Sequence, residues 1–321
     1  MPEPVIISNW RHGKSAIPAG LRKLKETGSA LDAVEYGIRA VEDDPLADSV
    51  GTGGVPNIEG VDEFDASIMV GNTLRCGAVS GLTMTQNPIS VARKIMELCP
   101  HVMLTGDGAR RFARATGFPE YQPVTEAALK KWEVLRTRLD DALNGKIKLE
   151  DYSRVLSTED VEALGRGIDL MVRTGQIKEL GTVGTLCLDS SGMIVAGTST
   201  SGLPLRLPGR VADSSVIGSG TYANSSGASS CTGLGEIAIR HGLTRGVCDL
   251  LEGGVEPTEA CETTLKNMLR RDKSVKVVLA LIALDRQGRV GGATTKADFS
   301  YQYQKLNEKE MTEVFPTPVS V

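Results

Sequence analysis

Twice in the second half of the chain, an apolar run of strand length is followed by a polar, glycine-ended turn and then a second short strand-like run. The first instance covers residues 182–188, the turn Asp189-Ser190-Ser191-Gly192 and residues 193–197; the second covers 277–284, Asp285-Arg286-Gln287-Gly288 and 289–293. Runs of this kind joined by Asp/Ser/Gly turns read as β-hairpins. Residues 236–241 and 258–270, which lie between them, have helical spacing, so the pattern is antiparallel sheet covered by helices.

The first half follows the same plan. Val5-Ile6-Ile7 is a short strand, 19–25 reads as a helix, and Thr27-Gly28-Ser29 supplies a glycine stop and a new N-cap. Leu31, Val34, Ile38 and Val41 then fall on one helical face before Asp43-Asp44-Pro45 ends it, and 89–98 and 106–116 repeat the amphipathic spacing. Residues 125–179 are charged and helix-forming, contain no evident catalytic group, and read as a peripheral excursion. Packing two sheets between two helical layers buries such strands on both faces, so the expected fold is α+β, a four-layer αββα sandwich. No Pro/Ser-rich linker divides the 321 residues, which are expected to form one domain, 1–321.

Bulk properties narrow the partners. A net charge of −4, with Lys and Arg dispersed, gives no electrostatic footprint for nucleic acid. The run 277–284 is too short to cross a bilayer, and Met1-Pro2-Glu3-Pro4 lacks the pattern of a secretory signal. Six cysteines without a C-x-x-C pair suit reduced core thiols in a cytoplasmic protein, with no metal or cofactor expected. A small-molecule substrate fits best.

Four short segments in order suggest what chemistry that substrate undergoes: Gly181-Thr182-Val183-Gly184, Thr198-Ser199-Thr200, Leu207-Pro208-Gly209-Arg210-Val211-Ala212-Asp213-Ser214 and Cys231-Thr232-Gly233-Leu234-Gly235-Glu236. A threonine hydroxyl needs an adjacent base to attack at neutral pH, and a chain's own α-amino group, with a reference pKa of ~7.7–8.0, can serve. Thr182 would have that base only if the Gly181–Thr182 bond were cut. Thr200 follows a strand expected to pair with the one that starts at Thr182, so its hydroxyl can reach the same place. Arg210 offers a planar fork for a carboxylate, and Asp213 can accept from an ammonium group. Thr232 and Gly233 offer a hydroxyl and a backbone N–H to an oxyanion, just ahead of a helix start at Gly235-Glu236. Each segment also has a plain structural alternative: a strand threonine, a surface ion pair, a glycine-rich helix entry.

The set resembles the N-terminal-nucleophile amidohydrolases of the glycosylasparaginase and plant-type L-asparaginase (isoaspartyl peptidase) family. The first half shares the likeness through Ser8-Asn9-Trp10, Ser49-Val50-Gly51-Thr52-Gly53-Gly54, Asp65-Ala66-Ser67-Ile68-Met69 and Asn87-Pro88-Ile89-Ser90-Val91-Ala92-Arg93-Lys94, which are typical of the glycosylasparaginase branch. The resemblance implies self-cleavage into 1–181 and 182–321, with Thr182 as nucleophile and Thr200 assisting it. It also implies an oxyanion site at Thr232 and Gly233, a substrate site of Arg210, Asp213, Gly235, Ser49 and Trp10, and a homodimer of the precursor that becomes (αβ)2. The implied reaction is hydrolysis of the side-chain amide of an L-aspartyl compound, N-acetylglucosaminyl-asparagine first; the alternatives are β-aspartyl peptides or asparagine, or an uncut, inactive binding protein.

Two departures bear on the substrate. Gly181 stands before the nucleophile, as in plant-type asparaginases, where glycosylasparaginases usually have Asp. His12 stands two positions after the tryptophan, where an aromatic is usual. Trp10, Arg11, His12 and Lys14 are the expected leaving-group side. Two other motifs mislead: His12-Gly13-Lys14-Ser15 lacks the first glycine of a phosphate loop, and the 218–223 glycine pattern precedes no helix. Three histidines and no G-x-S-x-G elbow disfavour a Ser-His-Asp hydrolase.

Overall fold

The computed structural model describes residues 2–122, 124–143, 158–177, 181–273 and 277–320. In chain order the elements are β1 (Val5–Asn9), α1 (Gly13–Thr27), α2 (Ala30–Glu42), β2 (Phe64–Val70), β3 (Arg75–Leu82), α3 (Pro88–Leu98), β4 (Met103–Thr105), α4 (Gly106–Ala115), α5 (Glu126–Ala142) and α6 (Thr158–Arg173). They continue with β5 (Val183–Leu188), β6 (Ile194–Thr200), β7 (Thr221–Asn224), β8 (Gly227–Gly233), α7 (Gly235–His241), α8 (Leu243–Glu252), α9 (Pro257–Arg271), β9 (Leu279–Asp285), β10 (Val290–Thr294), β11 (Tyr301–Lys305) and β12 (Thr312–Val314).

Eight strands form one sheet in the order β12-β11-β1-β5-β6-β2-β3-β4, and four form a second in the order β10-β9-β8-β7. Among the described residues only the β3–β4 ladder is parallel. The two hairpins anticipated from sequence are both present, but in different sheets: β5–β6 at the centre of the larger, β9–β10 at the edge of the smaller. Alternation along a strand specifies its faces, not its sheet, so sequence could not separate them.

Helices α1, α2 and α3 cover the outer face of the larger sheet, where Ile17, Leu21, Val34, Ile38, Ile89 and Ile95 pack with Ile6, Ile68, Val183 and Val195. Ser29 caps α2 as expected, its side chain accepting from Asp32 N at 3.3 Å. The inner core joins Val5, Ile7, Leu186 and Ile194 to Ala228, Cys231, Leu281 and Ala283, and continues to Val247, Leu251, Ala260 and Leu265 of α8 and α9. The result is the four-layer αββα sandwich.

The sheets approach closely where side chains are small. A Cβ on Gly184 would lie 2.0 Å from Ser230 Oγ of the facing sheet. A seam of hydroxyls runs beside it: Thr221 donates to Thr198 (2.5 Å), Thr198 and Ser230 lie 3.1 Å apart, and Ser67 donates to Ser214 O (2.6 Å). Buried hydroxyls are costly unless partnered, and this chain of partners ties β2 to the loop carrying Asp213.

Residues 125–179 are more than an excursion. Leu135 and Leu139 of α5 and Leu164, Ile168 and Met171 of α6 form a third core with Val55, Ile58, Leu203 and Leu205. Trp132 Nε1 donates to Asn57 O at 2.7 Å. These helices buttress the loop that carries Leu203, a wall of the site described next. Residues 144–157 and 178–180 of that stretch lie outside the described residues. All six cysteines are free, as expected from their spacing.

Candidate active site

Strand register explains why the two threonines meet. Val183 pairs with Ser199, which sets Thr182 opposite Thr200 at one end of the β5–β6 hairpin. Side chains alternate along each strand, and Leu186 and Ala196 face the inner core, so Thr182 and Thr200 also point between the sheets. Thr232 reaches the same mouth from β8, two residues beyond Ser230. All three threonines are buried.

Thr182, Thr200, Gly181, Gly202, Leu203, Arg210, Ala212, Asp213 and Gly233 line a pocket of about 10 Å³, room for roughly one water. With the chain continuous through Gly181, that residue occupies the mouth. Thr200 Oγ1 donates to the Gly181 carbonyl at 3.1 Å and accepts from Gly202 N at 3.0 Å. A Cβ on Gly181 would sit 2.1 Å from Ser49 Oγ and 3.6 Å from His12 Nε2, so glycine alone fits here without displacing Ser49. Ser49 is fixed in turn, its carbonyl accepting from Ser201 N at 2.9 Å.

Across the pocket, Arg210 uses Nε and Nη2 in a bidentate pair with Glu236, at 2.8 and 2.9 Å. A guanidinium has five N–H donors, so the Nη1/Nη2 edge remains to receive a second carboxylate. Burial pushes Glu236 up, but the hydrogen bonds and charge of Arg210 more than offset this and hold it below the usual carboxylate range. Asp213 is buried, and its Oδ2 has no hydrogen-bond partner. Burial drives this carboxyl up to about 7, against the pull of Arg210. A buried carboxylate with one oxygen unpartnered, beside a cation, suits a ligand carrying both an ammonium and a carboxylate. A Cβ on Gly235 would lie 2.9 Å from Asp213 Oδ1 and 3.1 Å from Arg210 Nη2, so glycine lets the pair sit against the start of α7.

Gly233 has φ +128°, and a Cβ there would meet Val278 O at 2.2 Å. The backbone N–H that follows Thr232 is therefore placed by a conformation that only glycine accepts. Trp10, at φ +54°, packs edge-on against Phe299 with centroids 5.3 Å apart, and its Nε1 donates to Thr232 Oγ1 at 3.0 Å. The indole N–H is thus engaged with the Thr232 hydroxyl. Arg11 and Lys14, expected on the leaving-group side, instead turn outward: both are mostly exposed and pair with Asp48 and Glu313. His12 turns inward and is buried.

Two site residues escaped the sequence reading of roles. Glu236 orients Arg210 from 26 positions away. Asp65 accepts from Ala212 N at 3.2 Å and from Ser80 Oγ at 2.5 Å, anchoring the loop that carries Arg210 and Asp213. Asp65 stood within a quoted motif, but nothing local linked it to a loop 147 positions away.

An αββα sandwich with a threonine, an Arg/Asp pair and a Thr-Gly turn gathered at the mouth between its sheets defines an amidohydrolase of the N-terminal-nucleophile class. Residues 8–314 match the asparaginase family, and the chain belongs to it. It is 41% identical to the plant-type L-asparaginase of Pyrococcus abyssi, over 92% of this chain and 90% of that protein. It is 34% identical to the N(4)-(beta-N-acetylglucosaminyl)-L-asparaginase of Elizabethkingia miricola (96% of this chain, 84% of that one). It is 37% identical to the isoaspartyl peptidase of Escherichia coli (86% and 79%). Among the described residues no helix is long and apolar enough to cross a membrane, and no group of His, Cys, Asp and Glu is placed to hold a metal ion.

Proposed function

We propose that the chain cuts itself between Gly181 and Thr182 and that Thr182 then hydrolyses the side-chain amide of small L-aspartyl compounds, with the Thr182 α-amino group as its base. The observation that carries this reading is the Gly181 carbonyl held by the Thr200 hydroxyl in a pocket shared with Thr182, Arg210 and Asp213. In the cut enzyme the substrate's α-carboxylate takes the open edge of Arg210 and its α-ammonium takes Asp213. Its amide carbonyl then faces the Thr182 hydroxyl. Attack passes the Thr182 Oγ proton to the α-amino group and forms a tetrahedral oxyanion that receives hydrogen bonds from Thr232 and the backbone N–H at Gly233; the carbon–nitrogen bond then breaks, the amine leaves with the proton that the α-amino group returns, and water hydrolyses the acyl-enzyme to aspartate.

We favour asparagine and β-aspartyl amides over the glycosylated substrate. The expectation of a sugar rested on the first-half segments typical of glycosylasparaginases, Ser8-Asn9-Trp10 among them; the indole N–H of Trp10 is engaged by Thr232, and glycine precedes the nucleophile. The glycosylated reading keeps one support: the Elizabethkingia relative aligns over 96% of this chain. Comparing kcat/KM for asparagine, a β-aspartyl dipeptide and N-acetylglucosaminyl-asparagine tests this. The first two are expected to exceed the third by tenfold or more; the reverse order would restore the glycosylasparaginase assignment.

Asp213 gives a pH signature. It binds an ammonium only when ionised, and its free-enzyme pKa is about 7. Protonation below that value removes the acceptor, so kcat/KM carries an acid limb near 7 in addition to the one that protonation of the Thr182 α-amino base gives both parameters, and it falls more steeply with pH than kcat, which is measured with the ammonium already bound. Equal acid limbs in both parameters would remove Asp213 from ammonium binding.

A further inference from the structure

In the uncut chain the Thr182 nitrogen is an amide, so the α-amino base of the finished enzyme does not yet exist. Self-cleavage therefore needs another proton acceptor, and among the described residues Asp213 and His12, both able to accept a proton, come to this mouth from different sides. Asp213 stands on the Arg210 side of the pocket. His12 stands on the Gly181 side: its Nε2 lies 3.6 Å, and Ser49 Oγ 2.1 Å, from the point a Cβ on Gly181 would occupy. Thr200, meanwhile, holds the oxygen of the Gly181 carbonyl. Gly181 is thus flanked by a hydroxyl that holds its carbonyl oxygen, a second hydroxyl and an imidazole.

Resting on the self-cleavage proposed above, we infer that His12, through the Ser49 hydroxyl, is the base that starts the cut. The Thr182 Oγ proton passes to Ser49 as the Ser49 proton passes to His12 Nε2, while Oγ bonds to the Gly181 carbonyl carbon. Thr200 donates to the resulting oxyanion. The carbon–nitrogen bond then breaks, and the imidazolium returns its proton by the same route to the departing Thr182 nitrogen. This leaves an ester between Gly181 and the Thr182 oxygen and a free α-amino group. Water cleaves the ester, its hydroxide going to the Gly181 carboxyl and its proton to Oγ.

The surroundings keep the imidazole neutral. Burial, with help from Arg11, lowers it to about 4, opposed by Asp48 and Asp44 from the loop after α2. Asp48 is itself held by Arg11 and by Lys131 of α5. His12 is thus unprotonated at neutral pH and able to accept. It replaces what a side chain on residue 181 could have provided, since contact with Ser49 leaves that position to glycine.

The test follows self-cleavage of the full chain by intact mass in wild type, His12→Gln and His12→Phe, alongside thermal melts. General-base loss costs about 10²-fold or more. Both variants are expected to melt cooperatively near the wild-type midpoint and to cut at least about 10²-fold more slowly. Hydroxylamine, which cleaves an ester once formed, should release no fragments from them. The wild-type rate should hold from neutral pH down to about 5 and fall below about 4. Variants that cut at the wild-type rate, or that release fragments to hydroxylamine, overturn the inference while leaving self-cleavage intact. So does a wild-type rate that already falls below pH 7, which would place the proton on Asp213. Loss of cooperative melting in His12→Phe would make the imidazole a structural group. A wild-type chain that never cuts defeats both this inference and the function it rests on.

Discussion

Thr182→Ala is expected to yield a single uncut chain with no measurable amide hydrolysis, a loss of about 10⁴-fold or more in kcat, the scale reached when a nucleophile is removed from a covalent mechanism. One hydroxyl is asked to serve twice: it attacks the Gly181 carbonyl in the precursor and the substrate carbonyl afterwards. Removing it should leave the fold nearly untouched, because Thr182 precedes β5 and the ladder begins at Val183. A thermal melt close to wild type combined with complete loss of cutting and turnover is therefore the expected pattern. Any fragment ending at residue 181 in this variant would place the nucleophile elsewhere.

Arg210→Ala should separate the two reactions. The guanidinium is assigned to the substrate's α-carboxylate and touches neither Gly181 nor the Thr200 hydroxyl that holds its carbonyl, so the variant is expected to cut normally. Its side chain is only 16% exposed. Removing a largely desolvated charge partner costs about 2–5 kcal/mol, which lowers kcat/KM by roughly 30-fold to several thousand-fold. Asp213 and Glu236 would be left facing each other without their shared cation, which adds to the loss. Steady-state kinetics on the fully cut variant measures it. If Arg210→Ala instead blocks cutting while remaining folded, the pair belongs to the precursor's machinery rather than to substrate binding.

The two behaviours reflect how differently the parts of this site are written in the sequence. The threonines were legible because hairpin periodicity fixes both partnership and facing: once 182–188 pairs with the strand ending at Thr200, their hydroxyls must meet. Arg210 and Asp213 lie three residues apart on one loop, so their proximity was legible, although a surface ion pair would leave the same pattern. Glu236 was not, because the pairing that orients Arg210 depends on how α7 enters after β8, a tertiary fact. The helices α5 and α6 were misjudged for a related reason. Their charged faces dominate the sequence, while Leu139, Leu164 and Met171 find partners in Val55, Ile58 and Leu205, far away along the chain. Trp10 shows the limit from the other side: its hydrogen bond to Thr232, 222 positions distant, is a tertiary contact that no local pattern marks.

The central claim is that Thr182 becomes a chain terminus, and intact-mass measurement of the purified wild-type protein under denaturing conditions, with N-terminal sequencing of the smaller fragment, tests it most directly. The expected result is two species, 1–181 and 182–321, the second beginning Thr-Val-Gly-Thr. A single 34.1 kDa chain that persists through prolonged incubation at neutral pH while still hydrolysing asparagine would contradict it.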